Sequence, residues 1–469
     1  MKKFILLFCL AAECAFGQSF ASFVNRVKTS APTLRQAMVD SFMQANPVLP
    51  LRESDTLAHF IATGNFNKVE VAGDMNGWSV GQIVLQNISN TNFWYNTQVY
   101  EPTARLDYKL VTNGSNWILD PNNPHQVSGG FGPNSELAMP QYVQPWEIQS
   151  YAGVATGSLN SYSVQSAALN ASHQVWVYLP PSYDSTKAYP TAYFHDGTEY
   201  LNLGNARNVL DNLIDSALIE PLIGIFVKPN NRNEEYAMSK RFTYRNFFCD
   251  ELVPWVDARF ATRKDSSQRA TIGASFGGNI SALIAFTRPE VFYKAGFHSG
   301  AFWPNNYEAL QIIDTSGVLS LPFASVWGSY EGSLPSVWRT VRDSMNSHQI
   351  PDKYFNEYPE GHSWGLWRAT LDEILISLFP GSAGIGFQDR PHKKQWQVYP
   401  NPTRHDLRIE GLTETPVHYS IVGLDGHNYR EGRLSGSAAQ LDVQALPEGM
   451  YMLLLQHSMR KTAHLFVKM

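Results

Sequence analysis

Cysteine, charge and long apolar runs are all scarce in this chain, and each scarcity narrows what it can be. Of 469 residues only 3 are cysteine. Met1-Lys2-Lys3, the apolar stretch Phe4 to Ala12 and the small residues around Gly17 have the charged start, short apolar run and cleavage region of a secretory signal cut before Gln18. Cys9 and Cys14 depart with that leader, and Glu13 stands where a lipid-attachment motif needs a small residue, so no lipid anchor is expected. Cys249 alone remains. Disulfides therefore cannot stabilise the mature chain, and a free, buried thiol is the expectation. Charged residues make up 16%, the net charge is -5 and no basic block occurs, which removes the electrostatic footprint of a nucleic-acid binder. No segment after the leader is apolar enough to cross a bilayer.

What is present is enough chain for about three domains and an aromatic content of 13%, which favours β-rich structure and surfaces that handle sugars or aromatic ligands. Residues 18–49 form a lead-in whose apolar positions, from Ala21 to Met43, recur at helical spacing. Residues 50–143 alternate apolar and polar over short runs broken by Gly, Asn, Asp and Pro, the pattern of an all-β sandwich. Residues 144–380 alternate strands with helices, which predicts a mostly parallel sheet with helices on both faces. Residues 381–395 lose the apolar periodicity and read as a linker, and 396–469 return to short strands and turns.

The middle segment carries the chemistry. Arg269 to Ala274 reads as a strand, Gly273-Ala274-Ser275-Phe276-Gly277 as a sharp turn, and an apolar helix follows. This spacing suits a nucleophile elbow, in which a serine stands above a sheet in a turn only small neighbours tolerate. An ordinary glycine-rich turn has the same signature. A base is expected at His362, in the loop after the final strand, with His298 and His195 as rivals too early in the chain for the order nucleophile, acid, base. The acid is expected at Glu331, in the loop one strand earlier, ahead of Asp352 and Asp314 on topology. The oxyanion donors are expected to be the amide of Phe276 and that of Gly197 or Thr198. Asp196, Arg232, Glu235, Trp303 and Trp364 are candidate substrate contacts. Arg232 and Glu235 either shape and charge the pocket or form a partly buried ion pair that fixes the loop. Trp303 and Trp364 either line an aromatic acyl pocket or pack in the core. No zinc ligand set and no phosphate-binding glycine loop appears, so no metal or cofactor is expected.

Three resemblances extend this reading. Asn65 to Trp78, Phe93-Trp94, Tyr108 to Val111 and Trp117 to Pro124 resemble early-set immunoglobulin-like domains related to glycogen-binding modules. Trp78, Trp94 and Trp117 there either stack on a sugar or fill the core. Asp196-Gly197, Asn231 to Tyr236, Glu251 to Trp255, Gly273 to Gly278, Arg288 to Phe292 and Gly361 to Trp364 resemble the esterase family that includes enterochelin esterases and feruloyl esterases. That resemblance implies an α/β-hydrolase fold with Ser275, Glu331 and His362 as its triad. Val398 to Pro402, Tyr419 to Gly426 and Leu446 to Leu453 resemble the C-terminal sorting domain of the type IX secretion system, implying export by that machinery to the surface or medium. The combined expectation is a secreted serine esterase acting on feruloyl or acetyl esters of plant polysaccharide. The alternatives are a siderophore lactone esterase and a surface carbohydrate-binding protein with an inactive hydrolase domain.

Overall fold

The computed structural model describes residues 19–130, 132–315, 321–347, 353–382, 397–399, 403–410, 417–423, 428–434, 438–457 and 460–468. The expected leader, most of the linker, Asp352 and Pro400 to Pro402 lie outside them. The chain divides into two compact units, Met1–Ile385 and Gly386–Met469.

In the first unit the lead-in folds as two helices, Phe20–Thr29 and Pro32–Ala45. Ser19 caps the first through its side chain, and Pro32 opens the second, where a missing N–H costs nothing. Phe20, Phe23, Val27 and Val39 bury themselves against Ile61, Ile88 and Phe93, covering a sheet ordered Leu51–Glu53, Leu57–Thr63, Phe93–Val99, Gln86–Asn87. A second antiparallel sheet runs Ile83–Val84, Val69–Gly73, Arg105–Thr112, Gly132–Ala138, Gln126–Gly129. Alternate residues of both sheets, among them Phe60, Val71, Leu106, Tyr108 and Leu137, share one core. Of the tryptophans in this region, Trp78 donates to Asp74 Oδ1 and Trp94 to the Gly64 carbonyl, while Trp117 is exposed.

The rest of the unit is built on eight strands: β1 (Ser158–Ser166), β2 (Ala171–Leu179), β3 (Thr191–His195), β4 (Ile223–Val227), β5 (Arg269–Ala274), β6 (Lys294–His298), β7 (Phe323–Gly328) and β8 (Lys353–Tyr358). They lie in the order β1-β2-β4-β3-β5-β6-β7-β8. The pairs β1/β2 and β2/β4 are antiparallel and the others parallel, so the sheet is mixed at one end. Strands β3, β4, β5 and β7 are buried along their whole length, as expected for strands covered on both faces. The helix Phe276–Thr287 after β5 is buried almost all round. Because parallel strands put their carboxyl ends on one edge, the loops after β3, β5, β7 and β8 converge there.

The second unit has a sheet ordered Gln397–Tyr399, Asp406–Glu410, Ala438–Asp442 and one ordered Asn428–Leu434, Val417–Gly423, Gly449–His457, Arg460–Lys468. Leu407, Ile409, Ile421, Leu453, Leu455 and Phe466 make its core. Among the described residues no helix is long and apolar enough to cross a membrane.

Candidate active site

Ser275 follows the last residue of β5 with φ 57° and ψ -118°, a strained conformation for a residue with a side chain. Its neighbours make the turn possible. A Cβ at Gly273 would lie 2.2 Å from the Gly277 carbonyl oxygen, and one at Gly278 would lie 2.7 Å from Gly300 Cα. The turn is held by the Ser275 N–H donating to His298 O (2.9 Å) and by Ser275 O accepting from Asn279 N (3.1 Å) and Ala301 N (3.0 Å). The hydroxyl is thereby lifted off the end of the sheet.

His362, in the loop after β8, places Nε2 2.9 Å from Ser275 Oγ, and its Nδ1 lies 2.9 Å from Glu331 Oε2. Glu331 sits after β7 with its side chain 1% exposed, while that of His362 is 35% exposed. A buried carboxylate needs donors, and Oε1 has them: the Gly328 N–H at 2.8 Å and the Ser299 hydroxyl at 2.6 Å. Ser299 in turn accepts from Trp367 Nε1 at 2.9 Å, and the Trp367 ring meets His362 edge-on, with centroids 5.0 Å apart. The carboxylate fixes the imidazole with hydrogen on Nδ1, leaving Nε2 free to accept from serine. Neither Ser299 nor Trp367 was expected here. A lone serine directly after a strand, and a tryptophan in a helix, carry no local signal for such a part.

The rival histidines are core groups. His195 bonds to Tyr244 Oη and Thr271 Oγ1, and His298 Nδ1 bonds to Tyr200 Oη. Burial pushes each down to about 3, which keeps both neutral. Cys249 is buried and free, its thiol pushed up to about 12 by burial, so it is unreactive.

Gly197 opens the helix Gly197–Asn202 after β3, against β4 so tightly that a Cβ would come within 2.4 Å of the Phe226 carbonyl carbon. Phe276 opens the helix after Ser275. Amides in the first turn of a helix have no intrahelical acceptor, so those of Phe276, Gly197 and Thr198 are the kind of donor an oxyanion needs.

The other expected contacts separate. Asp196, in a left-handed conformation, receives Arg232 Nε and Nη2 on its two oxygens, each at 2.8 Å, and Arg232 also donates to Ala274 O. Burial pushes the Asp196 carboxyl above its usual range against the pull of Arg232. Arg232 thus pairs with Asp196 and not with Glu235. Glu235 turns inward instead, to His173 Nε2 and the Asn230 amide. Trp364 packs edge-on against Tyr200 and Trp367. Asp196, Glu235 and Trp364 are therefore buried among protein partners, the packed alternative that Glu235 and Trp364 carried from the sequence. Trp303 is 50% exposed and packs in a tilted arrangement, centroids 5.6 Å apart, against Phe276, the residue beside the nucleophile, and the Arg232 guanidinium lies 5.7 Å from the centroid of the Phe276 ring. Among the described residues no cluster suited to a metal ion occurs.

A mixed eight-stranded sheet with a serine on a strained strand-to-helix turn defines an α/β-hydrolase. Residues 166–378 match the family model described as "Putative esterase", and residues 397–469 match the secretion system C-terminal sorting domain. The chain is 30% identical over 286 residues to an endo-1,4-beta-xylanase/feruloyl esterase of Xylanibacter ruminicola, covering 58% of this chain and 38% of that protein. It is 29% identical over 200 residues to the uncharacterized protein YbbA of Bacillus subtilis, covering 39% of this chain and 79% of that one. Two solved structures share the fold: ferric enterobactin esterase of Salmonella typhimurium (TM-score 0.62, 19% identity, 72% of this chain and 98% of that one) and enterochelin esterase of Shigella flexneri (0.59, 20%, 72% and 97%). The match of residues 166–378 to this esterase family supports carboxylic ester hydrolysis by this chain. Its sorting domain marks it as secreted or held at the cell surface.

Proposed function

We propose that the protein hydrolyses esters through a Ser275-His362-Glu331 triad and an acyl-enzyme. The observation that carries this reading is the continuous chain of two 2.9 Å contacts from Glu331 through His362 to the Ser275 hydroxyl. His362 Nε2 takes the serine proton as Oγ attacks the ester carbonyl carbon. The oxyanion forms against the amides of Phe276 and of Gly197 or Thr198. His362 then gives its proton to the leaving alcohol, and water repeats the sequence to free the acid.

The substrates are feruloyl or acetyl esters on plant polysaccharide, and the type IX machinery exports the enzyme. The feruloyl esterase name of the Xylanibacter ruminicola relative and the exposed Trp303 ring beside the nucleophile support an aromatic acyl group. The β-rich residues 50–143 are an immunoglobulin-type sandwich of the early-set kind, and 396–469 form a small sandwich. A second reading, cleavage of siderophore lactones, is favoured by fold likeness to enterobactin esterases over 72% of this chain, a span that exceeds the hydrolase part alone.

The test is the chain from Gln18 onward, assayed on methyl ferulate, acetylated xylan, enterobactin and a nitrophenyl ester beside Ser275→Ala. Turnover that prefers the ferulate or xylan, and falls on the order of 10⁶-fold in the variant, supports the first reading. Preference for enterobactin replaces the substrate class. Sugar binding with equal, negligible turnover in both proteins overturns the enzyme mechanism.

A further inference from the structure

We propose that Arg105, from the N-terminal β-rich region, is a positioning residue for ester hydrolysis: it fixes the loop that carries His362 and so makes that region part of the active site. The inference rests on His362 being the base.

His362 lies between two residues that the N-terminal region grips directly. On one side Gly361 lies against Asp74, so closely that a Cβ would fall 2.0 Å from the Asp74 carboxyl carbon. On the other, Ser363 Oγ accepts from Arg105 Nη1 at 3.3 Å. The Arg105 backbone N–H donates to Pro359 O at 3.1 Å, forming a parallel bridge between Arg105 and Glu360. Its guanidinium presses on Gly365, where a Cβ would lie 1.9 Å from Nη1. Arg105 does not touch His362. It holds the chain on both sides of it, through the Pro359 carbonyl before and the Ser363 hydroxyl after.

The loop of the acid is tied to the same joint. Tyr330, next to Glu331, donates its N–H to Glu360 O (3.0 Å) and its hydroxyl to Glu101 Oε2 (2.6 Å), and its ring lies near Tyr100. Acid and base loops are thus registered on one N-terminal surface.

Arg105 is an expensive group to bury, with its side chain 0% exposed. Asp107 (2.5 Å), Glu136 (2.9 Å) and Glu360 (3.6 Å) surround it, Asp74 accepts from the Asp107 N–H, Arg368 reaches Glu136, and Tyr142 is close enough to feel the cluster. Four carboxylates thus face two guanidinium groups. Burial pushes Glu360 up to about 8 and Asp74 to about 7, which keeps the surplus charge protonated near neutral pH. A joint needed only for stability is as well served by apolar packing. A forked cation that reaches a loop hydroxyl and three acidic side chains fixes geometry.

The test uses the full chain carrying Arg105→Lys, Ser363→Ala, Gly361→Ala or Gly361→Ala with Asp74→Ala. Nitrophenyl acetate turnover is measured per active serine, titrated with a nitrophenyl phosphonate, alongside the melting temperature. Lysine keeps the charge but not the fork, Ser363→Ala leaves the charged network whole, and Gly361→Ala pushes the loop off Asp74. Gly361 has no left-handed φ, and the three atoms nearest an added Cβ all belong to the Asp74 carboxyl, so its alanine variant is disturbed first by that contact. Expected is a fall in kcat of about 10- to 100-fold for Arg105→Lys and Gly361→Ala, with KM changed by less than about twofold. Ser363→Ala should fall less, and adding Asp74→Ala should restore much of the Gly361→Ala loss. Wild-type kcat per titrated site in all of them overturns the inference, whether or not the melting temperature drops. If His362→Ala keeps wild-type kcat, the triad reading fails first, which separates the two failures.

Discussion

The two oxygens of Glu331 divide their work: Oε2 holds His362 Nδ1 at 2.9 Å, while Oε1 is saturated by the Gly328 N–H and the Ser299 hydroxyl. The carboxylate therefore cannot rotate without losing two donors, and the imidazole it faces keeps one orientation. Glu331→Gln preserves the shape but presents an amide in place of an ionised acceptor. It should fold normally and lose on the order of 10³- to 10⁴-fold in kcat, read in a steady-state nitrophenyl ester assay.

Arg232 and Asp196 form a two-point ion pair beside the elbow, with the carboxylate side chain 5% exposed. Arg232→Ala strands that carboxylate, and a loss of about 3 kcal/mol is expected in urea unfolding. Arg232→Ala with Asp196→Asn should recover most of it, because no buried charge is left unpaired.

The surplus carboxylates around Arg105 set a sign for pH. Glu360 is pushed from its usual 4.5 to about 8 and Asp74 from 3.8 to about 7. Above their unfolded values these groups are ionised when unfolded yet protonated when folded, so the folded state binds more protons. Their contribution to stability therefore falls as pH rises from 3.8 to about 8, and is flat beyond. Melting temperatures taken across that window should decline, and Glu360→Gln should flatten the decline.

Trp303 stands half exposed on Phe276. Trp303→Ala should raise KM for methyl ferulate about three- to tenfold, the scale of an aromatic pair, and leave KM for an acetyl ester unchanged. An equal change for both esters would remove Trp303 from the acyl site.

The sequence shows local chemistry well and distant contacts poorly. The Gly273-x-Ser275-x-Gly277 spacing announces a tight turn, and the need for Gly273 is local, because a Cβ there would meet Gly277 four positions on. The alternation of strands and helices announces a parallel sheet edge, and from that edge the loops of Glu331 and His362 follow. Nothing local reports that Arg105 would bridge to Glu360, since that contact joins residues far apart in the chain. The same limit explains Glu235, which lies on the same short helix as Arg232 but turns to His173 on β2. Trp364 looks like a rim residue by its place beside His362, yet the helix Trp364–Ala369 carries it into the packing around Tyr200.

The central claim is that Ser275 is acylated. Nitrophenyl acetate mixed with the enzyme and acid-quenched within the first turnover should give a burst of about one nitrophenolate per chain. The intact protein should gain one acetyl group, located by peptide mapping on Ser275, and Ser275→Ala should show neither burst nor adduct. An acetyl group on another residue, or full steady-state turnover by Ser275→Ala, would contradict the account.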